Sequence, residues 1–118
     1  MAAPMREPTF WILTALTAAP LHGYGIIQQA GQLSDGRVRL QAGTLYAALD
    51  RLVAEGLVEP DREEIVDGRN RRYYRLTEDG AGALDAEAAR LRASADAATA
   101  QLRARRPFGL GTAQLLPG

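Results

Sequence analysis

The sequence contains no cysteine, no lysine and a single histidine, His22. Without cysteine there are no disulfides, no thiolate metal sites and no thiol nucleophile, a usage that fits a reducing cytoplasm. One histidine with no neighbouring carboxylate supports neither a metal cluster nor a general base, so His22 reads as a helix-start or hydrogen-bonding residue. There is no phosphate loop with lysine and no nucleophile beside a base, so neither an enzyme nor a metal or other cofactor is expected. Long apolar runs are also missing. No stretch approaches the roughly 18 residues of a membrane span, and the N-terminal MAAPMREPTF lacks a basic region followed by an apolar one. The chain therefore reads as soluble, unexported and cytoplasmic, with no membrane partner. Neither sign of charge is in excess: the formal net charge is zero, which removes any global electrostatic argument for nucleic acid, membrane or acidic substrate.

What is present is local. At 118 residues the chain makes one domain, with a core small enough that a second burial surface such as a dimer interface would add stability. All 14 basic residues are arginine, and four of them, Arg69, Arg71, Arg72 and Arg75, fall within seven positions that hold no acid. The planar arginine fork suits phosphate or guanine, so the cluster marks an anion-binding tip. It equally fits a strand edge kept charged against aggregation, and the cluster alone does not choose.

The stretch Gln41 to Gly56 organises the rest. On a helical period Leu45, Leu49, Leu52 and Val53 share a core face, while Gly43, Thr44, Ala47, Asp50 and Arg51 form a small, polar opposite face. Leu57 to Leu76 then reads as a two-stranded ribbon turning near Asp67 and Gly68, with Pro60 at an edge or irregular position. Met1 to Glu7 reads as a flexible arm. Pro8 opens a first helix that is apolar nearly all round through Phe10, Trp11, Ile12, Leu13, Ala15 and Leu16, which points to burial against a partner subunit. Pro20 ends it, Leu21 to Gly25 forms a tight lead-in to a second helix, and Ser34, Asp35 and Gly36 supply a turn. Thr77, Glu78 and Asp79 start a helix of about thirty residues, roughly 45 Å, ending near Arg106. Its Leu84, Ala88, Leu91, Ala95, Ala98 and Leu102 follow a heptad seam that suits pairing with a second chain. The Gly- and Pro-rich segment 107–118 reads as a flexible tail. The expected fold is mainly α with a β-hairpin wing: a winged helix-turn-helix over 8–76 and a C-terminal dimerisation helix over 77–106.

Three motifs in order, LHGYGI, GTLYAALDRLVAEGLVE and RRYYRLTEDGAGAL, resemble the PadR family of bacterial transcriptional regulators, over about Phe10 to Leu84. The resemblance implies a cytoplasmic homodimer that binds a double-stranded DNA operator. It puts Gln41, Gly43, Thr44, Tyr46, Ala47 and Arg51 on a recognition helix, Arg69, Asn70, Arg71 and Arg72 on the wing tip, and Tyr24 at the second helix as DNA-binding residues. The dimer interface implied is Trp11 with Leu84, Ala88, Leu91, Ala95, Ala98 and Leu102. Repression of a pseudo-palindromic operator is the expected function, with release by a small hydrophobic or aromatic effector between long and first helices. Where some relatives carry an aromatic residue in the last helix to line that cavity, this chain has none from Ala81 to Arg106, and its C-terminal arm resembles the family's short version. The alternative is a winged-helix module that contacts protein and no DNA, which the acids Glu63, Glu64 and Asp67 leave open.

Overall fold

In the computed structural model, which describes residues 4–105, the elements run α1 (Glu7–Ala15), β1 (Leu21–His22), α2 (Gly23–Leu33), α3 (Ala42–Ala54), β2 (Val58–Val66), β3 (Arg69–Leu76) and α4 (Glu78–Ala104). Pro8 occupies the first turn of α1 and Glu7 places an acid at its positive end, both suited to a helix start. Glu7 thus belongs to α1, and Met5 before it packs against the core. The stretch read from sequence as a flexible arm therefore ends earlier than Glu7.

Helix α1 covers more of itself than its composition suggests. Thr9, Ile12, Leu13, Ala15 and Leu16 are buried within the chain's own core, leaving Phe10 and Trp11 half-buried. Much of the cover for this apolar helix is thus supplied within the chain, where α2 packs against α1. Ile26 and Ala30 of α2 and Leu45, Leu49 and Leu52 of α3 complete the centre, joined by Val58 and Tyr74 of the sheet.

Glycines and a hydroxyl punctuate these elements. Helix α3 closes with Gly56 at φ +79°, its N–H reaching the Val53 carbonyl (3.0 Å) and that of Leu57 reaching Leu52 (3.0 Å). This paired ending satisfies two carbonyls that would otherwise lack donors. Strands β2 and β3 pair antiparallel from Val58↔Leu76 to Val66↔Arg69, with a register shift between Pro60 and Glu63. Asp67 (φ 52°) and Gly68 (φ 75°) form the two-residue turn, both in the left-handed region that suits the twist of a hairpin. Thr77 caps α4: its Oγ1 accepts from Gly80 N–H (2.9 Å) and donates to the Gly56 carbonyl (2.7 Å). A Cβ on Gly80 would collide with the Leu57 carbonyl and lie 2.8 Å from Leu76 Cδ1, so only glycine lets α4 start this close to the sheet.

The short strand β1 is the one element that sequence reading missed. Leu21 and His22 pair with Tyr74 and Tyr73, turning the expected two-stranded ribbon into a sheet of order β1-β3-β2. A first compact unit ends at Glu87 and takes in the start of α4, where Gly80 is buried and Leu84 lies against the core. The second unit holds the rest of α4, in which every residue from Leu91 to Arg105 is exposed. Arg106 and the segment 107–118 lie outside the described residues. Among the described residues, no helix is long and apolar enough to cross a membrane.

Candidate nucleic-acid interface

Three elements meet at one groove. Helix α2 contributes its first turn, α3 contributes Tyr46, and the β2–β3 hairpin contributes its tip. The groove, of about 420 Å³, is lined by His22, Gly23, Tyr24, Tyr46, Val66, Asp67 and Arg69 to Arg72. The first glycine of the LHGYG stretch explains how α2 and α3 come so close. A Cβ on Gly23 would overlap the Tyr46 hydroxyl and sit 2.8 Å from Tyr46 Cζ, so the Tyr46 ring lies over bare backbone. Tyr46 nonetheless keeps 45% exposure and Tyr24 64%. Both phenols are therefore presented at the surface rather than consumed by the core.

Charge on the hairpin divides in a way that residue order does not reveal. Arg75 is held by Glu59 (2.8 Å) and Asp61 (3.2 Å), and Arg72 lies 3.5 Å from Glu63. Arg62 contacts Asp61 and Glu64 and stacks over the Tyr73 ring at 3.9 Å, a cation–π contact. Asn70 donates to Glu63 (2.9 Å) and the Tyr73 hydroxyl donates to Glu64 (2.8 Å). The acids of β2 are thus engaged by Arg62, Asn70, Arg72, Tyr73 and Arg75. Among the described residues Arg69 and Arg71 meet no acid within 4.0 Å. These two cations at the tip are the ones available to an anion from outside.

The remaining sequence-predicted residues fall into two other places. Gln41 and Thr44 border a second groove, of about 550 Å³, together with Arg37, Arg39 and the start of α1. Gly43 and Ala47 are exposed on α3 between that groove and Tyr46, and a Cβ at Gly43 would meet nothing within 4 Å. Arg51 is apart from both. Its Nη2 donates to Thr9 Oγ1 (2.8 Å) and its Nη1 lies 3.4 Å from Glu55, so its guanidinium ties α3 to α1. The spacing of LHGYG allows close packing or the approach of a phosphate at the start of α2, and His22 reads as a helix-start residue; that Gly23 and His22 line the groove follows only once Tyr46 is placed beside Gly23.

His22 accepts from Gly25 N–H through Nδ1 (3.3 Å), so the neutral ring carries its proton on Nε2. Burial, and then the Arg71 cation, hold its pKa below the ordinary 6.5, against a smaller opposite pull from Glu64. Glu7 also titrates low, held down by hydrogen bonds from Trp11 and Arg37.

A family model described as the transcriptional regulator PadR-like family matches residues 12–86. The chain belongs to the PadR-like family of transcriptional regulators. The match takes in all three motifs and runs from the second half of α1 into the first part of α4. This PadR-like chain is 44% identical over 64 residues to a transcriptional regulator of Mycobacterium tuberculosis, covering 54% of this chain and 56% of that protein. It thus spans little more than half the length of that relative. A PadR family transcriptional regulator from Eggerthella lenta DSM 2243 is similar in structure, with TM-score 0.66, 26% identity and 82% of each chain covered. Bacillus subtilis PadR, solved in complex with operator DNA, is similar with TM-score 0.60 and 25% identity, over 68% of this chain and 46% of that one. Members of the family are transcriptional regulators, not enzymes.

Proposed function

We propose that this PadR-like chain binds double-stranded operator DNA as a homodimer in the cytoplasm and represses transcription. The observation that carries the reading is the convergence of Tyr24, Tyr46 and the wing residues Arg69 to Arg72 on one groove. Two arginines there lack acidic partners. The operator complex of the Bacillus subtilis relative supports it. Gly43 and Ala47 give α3 a low surface that permits close approach to base edges in the major groove, while Gln41 and Thr44 reach phosphate or a base edge at its N-terminus. The wing cations contact phosphate or the minor groove and contribute salt-dependent affinity. Arg51, held by Thr9 and Glu55, is left out of this surface.

Dimerisation runs along α4. Leu91 (42% exposed) and Leu102 (62%) are large apolar side chains in water, and with Ala88, Ala95 and Ala98 they form a seam that a second copy would bury. Leu84 sits at the core end of the same seam, and Trp11 adds apolar surface from α1. Two heads joined this way address pseudo-palindromic half-sites about one helical turn apart. A small hydrophobic or aromatic effector that binds two dimer geometries unequally releases the DNA by shifting their populations. Phe10 and Trp11, edge to face at 5.1 Å, are the aromatic pair such a ligand would meet.

The test is a titration of the purified chain against the DNA upstream of its own gene, at low and moderate salt, with unrelated DNA as competitor. Selective, salt-sensitive binding with a dimeric stoichiometry is expected. A folded dimer that never prefers that DNA would favour the protein-contact module instead.

A further inference from the structure

His22 couples three elements at the groove. It caps α2 through Gly25 N–H, pairs with Tyr73 in the β1–β3 ladder, and meets the Tyr73 ring edge-on, with centroids 5.3 Å apart. It also shares the groove lining with Tyr24, Tyr46, Arg69, Arg71 and Arg72. The titratable and charged groups around it come from every packed element: Tyr24 on α2, Tyr46 on α3, Glu64 on β2, Asp67 in the hairpin turn, and Arg69, Arg71, Arg72 and Tyr73 on β3. In the free chain burial and then the Arg71 cation oppose an imidazolium, with Glu64 pulling the other way, and the positive end of α2 adds to the opposition.

We infer that His22 takes up a proton when DNA phosphate occupies this groove, so that DNA affinity rises as pH falls from 7.5 to 5.5. The inference rests on the DNA-binding reading above. A phosphate drawn in by Arg69 and Arg71 cancels the repulsion that Arg71 exerts and adds negative charge beside a partly desolvated ring. The imidazolium is therefore more stable in the complex than in the free chain. Its protonation costs the Gly25 cap in both states, so that cost drops out of the difference. Linkage then requires that whatever favours the proton in the complex also favours the complex at low pH. The chain has one histidine; the reference α-amino value of about 7.7–8.0 touches only the pH 7.5 point, and any α-amino contribution there appears equally in the His22→Asn chain.

The experiment uses the full chain and a duplex from upstream of its gene, at constant salt and pH 7.5, 6.5 and 5.5. Calorimetry at pH 6.5 in two buffers of different ionisation enthalpy counts the protons taken up. Wild type should bind about three- to tenfold more tightly at pH 5.5 than at 7.5, each unit of pKa difference being worth a factor of ten. It should also take up a measurable fraction of a proton per chain. His22→Asn keeps a side-chain oxygen for Gly25 N–H but does not titrate, and its affinity should be flat. Binding by wild type with no proton uptake and no pH slope overturns the inference alone, as does a His22→Asn chain that keeps the slope. No binding at any pH removes the DNA reading and this inference together. If His22→Asn does not fold, the proton count on wild type decides.

Discussion

Three glycines show how differently the same residue is used at the residue scale. At Gly80 an added methyl group meets a backbone carbonyl of Leu57, which cannot retreat. At Gly23 it meets the far end of Tyr46, which can swing away, and at Gly43 it meets nothing. Urea unfolding should therefore rank the alanine variants. Gly80→Ala should lose about 1–3 kcal/mol or more as an overpacked site. Gly23→Ala should lose less but expel Tyr46 from the groove. Gly43→Ala should gain up to about 1 kcal/mol from helix propensity. A Gly80→Ala chain as stable as wild type would contradict the close α4 contact. The acid limb of stability gives a second check, through Glu7. Its carboxylate is favoured by the fold, so its stabilisation is present above its ordinary 4.5 and disappears as pH falls through the lower folded value. Glu7→Gln and wild type should differ near neutrality and converge in acid, with the fluorescence of Trp11, which donates to Glu7 (3.1 Å), reporting the same change. Parallel curves for the two chains would remove Glu7 as the cause.

At the scale of elements, what could be read from sequence was whatever a local period or a single turn determines. Leu45, Leu49 and Leu52 mark the buried face of α3, Asp67 and Gly68 mark the hairpin turn, and Thr77 marks the start of α4, all without knowledge of the tertiary fold. What could not be read depends on partners distant in sequence. Strand β1 is two residues long, too short for any alternation to show, and exists because β3 offers it an edge. The split of the wing arginines into paired and unpaired depends on the register shift after Pro60, which no spacing encodes. Arg51 looks like an outward cation on the helical wheel, yet Thr9, 42 positions away, holds it. Two further predictions belong to this scale. Gly68→Ala forces a side chain into φ 75° and should cost about 1–2 kcal/mol while leaving the core melting as one transition, as followed by circular dichroism. Leu91→Glu with Leu102→Glu should yield a folded monomer in sedimentation. A dimer that survives both charges would move the interface off the α4 seam.

At the scale of the whole molecule, the proposed DNA-binding surface of this neutral chain arises by distribution of charge. The fold uses most wing acids and arginines on one another and leaves Arg69 and Arg71 at the tip beside two exposed phenols and the low face of α3. The most direct test of that account is the salt dependence of DNA binding, measured for wild type and for Arg69→Ala with Arg71→Ala. Each phosphate contact removed should lower the slope of log affinity against log salt by about 0.9. The double variant should therefore lose about two units of slope per chain, at an unchanged melting midpoint, whereas Arg75→Ala should lose little. A double variant with the slope and affinity of wild type would contradict the wing groove as the place where DNA is held.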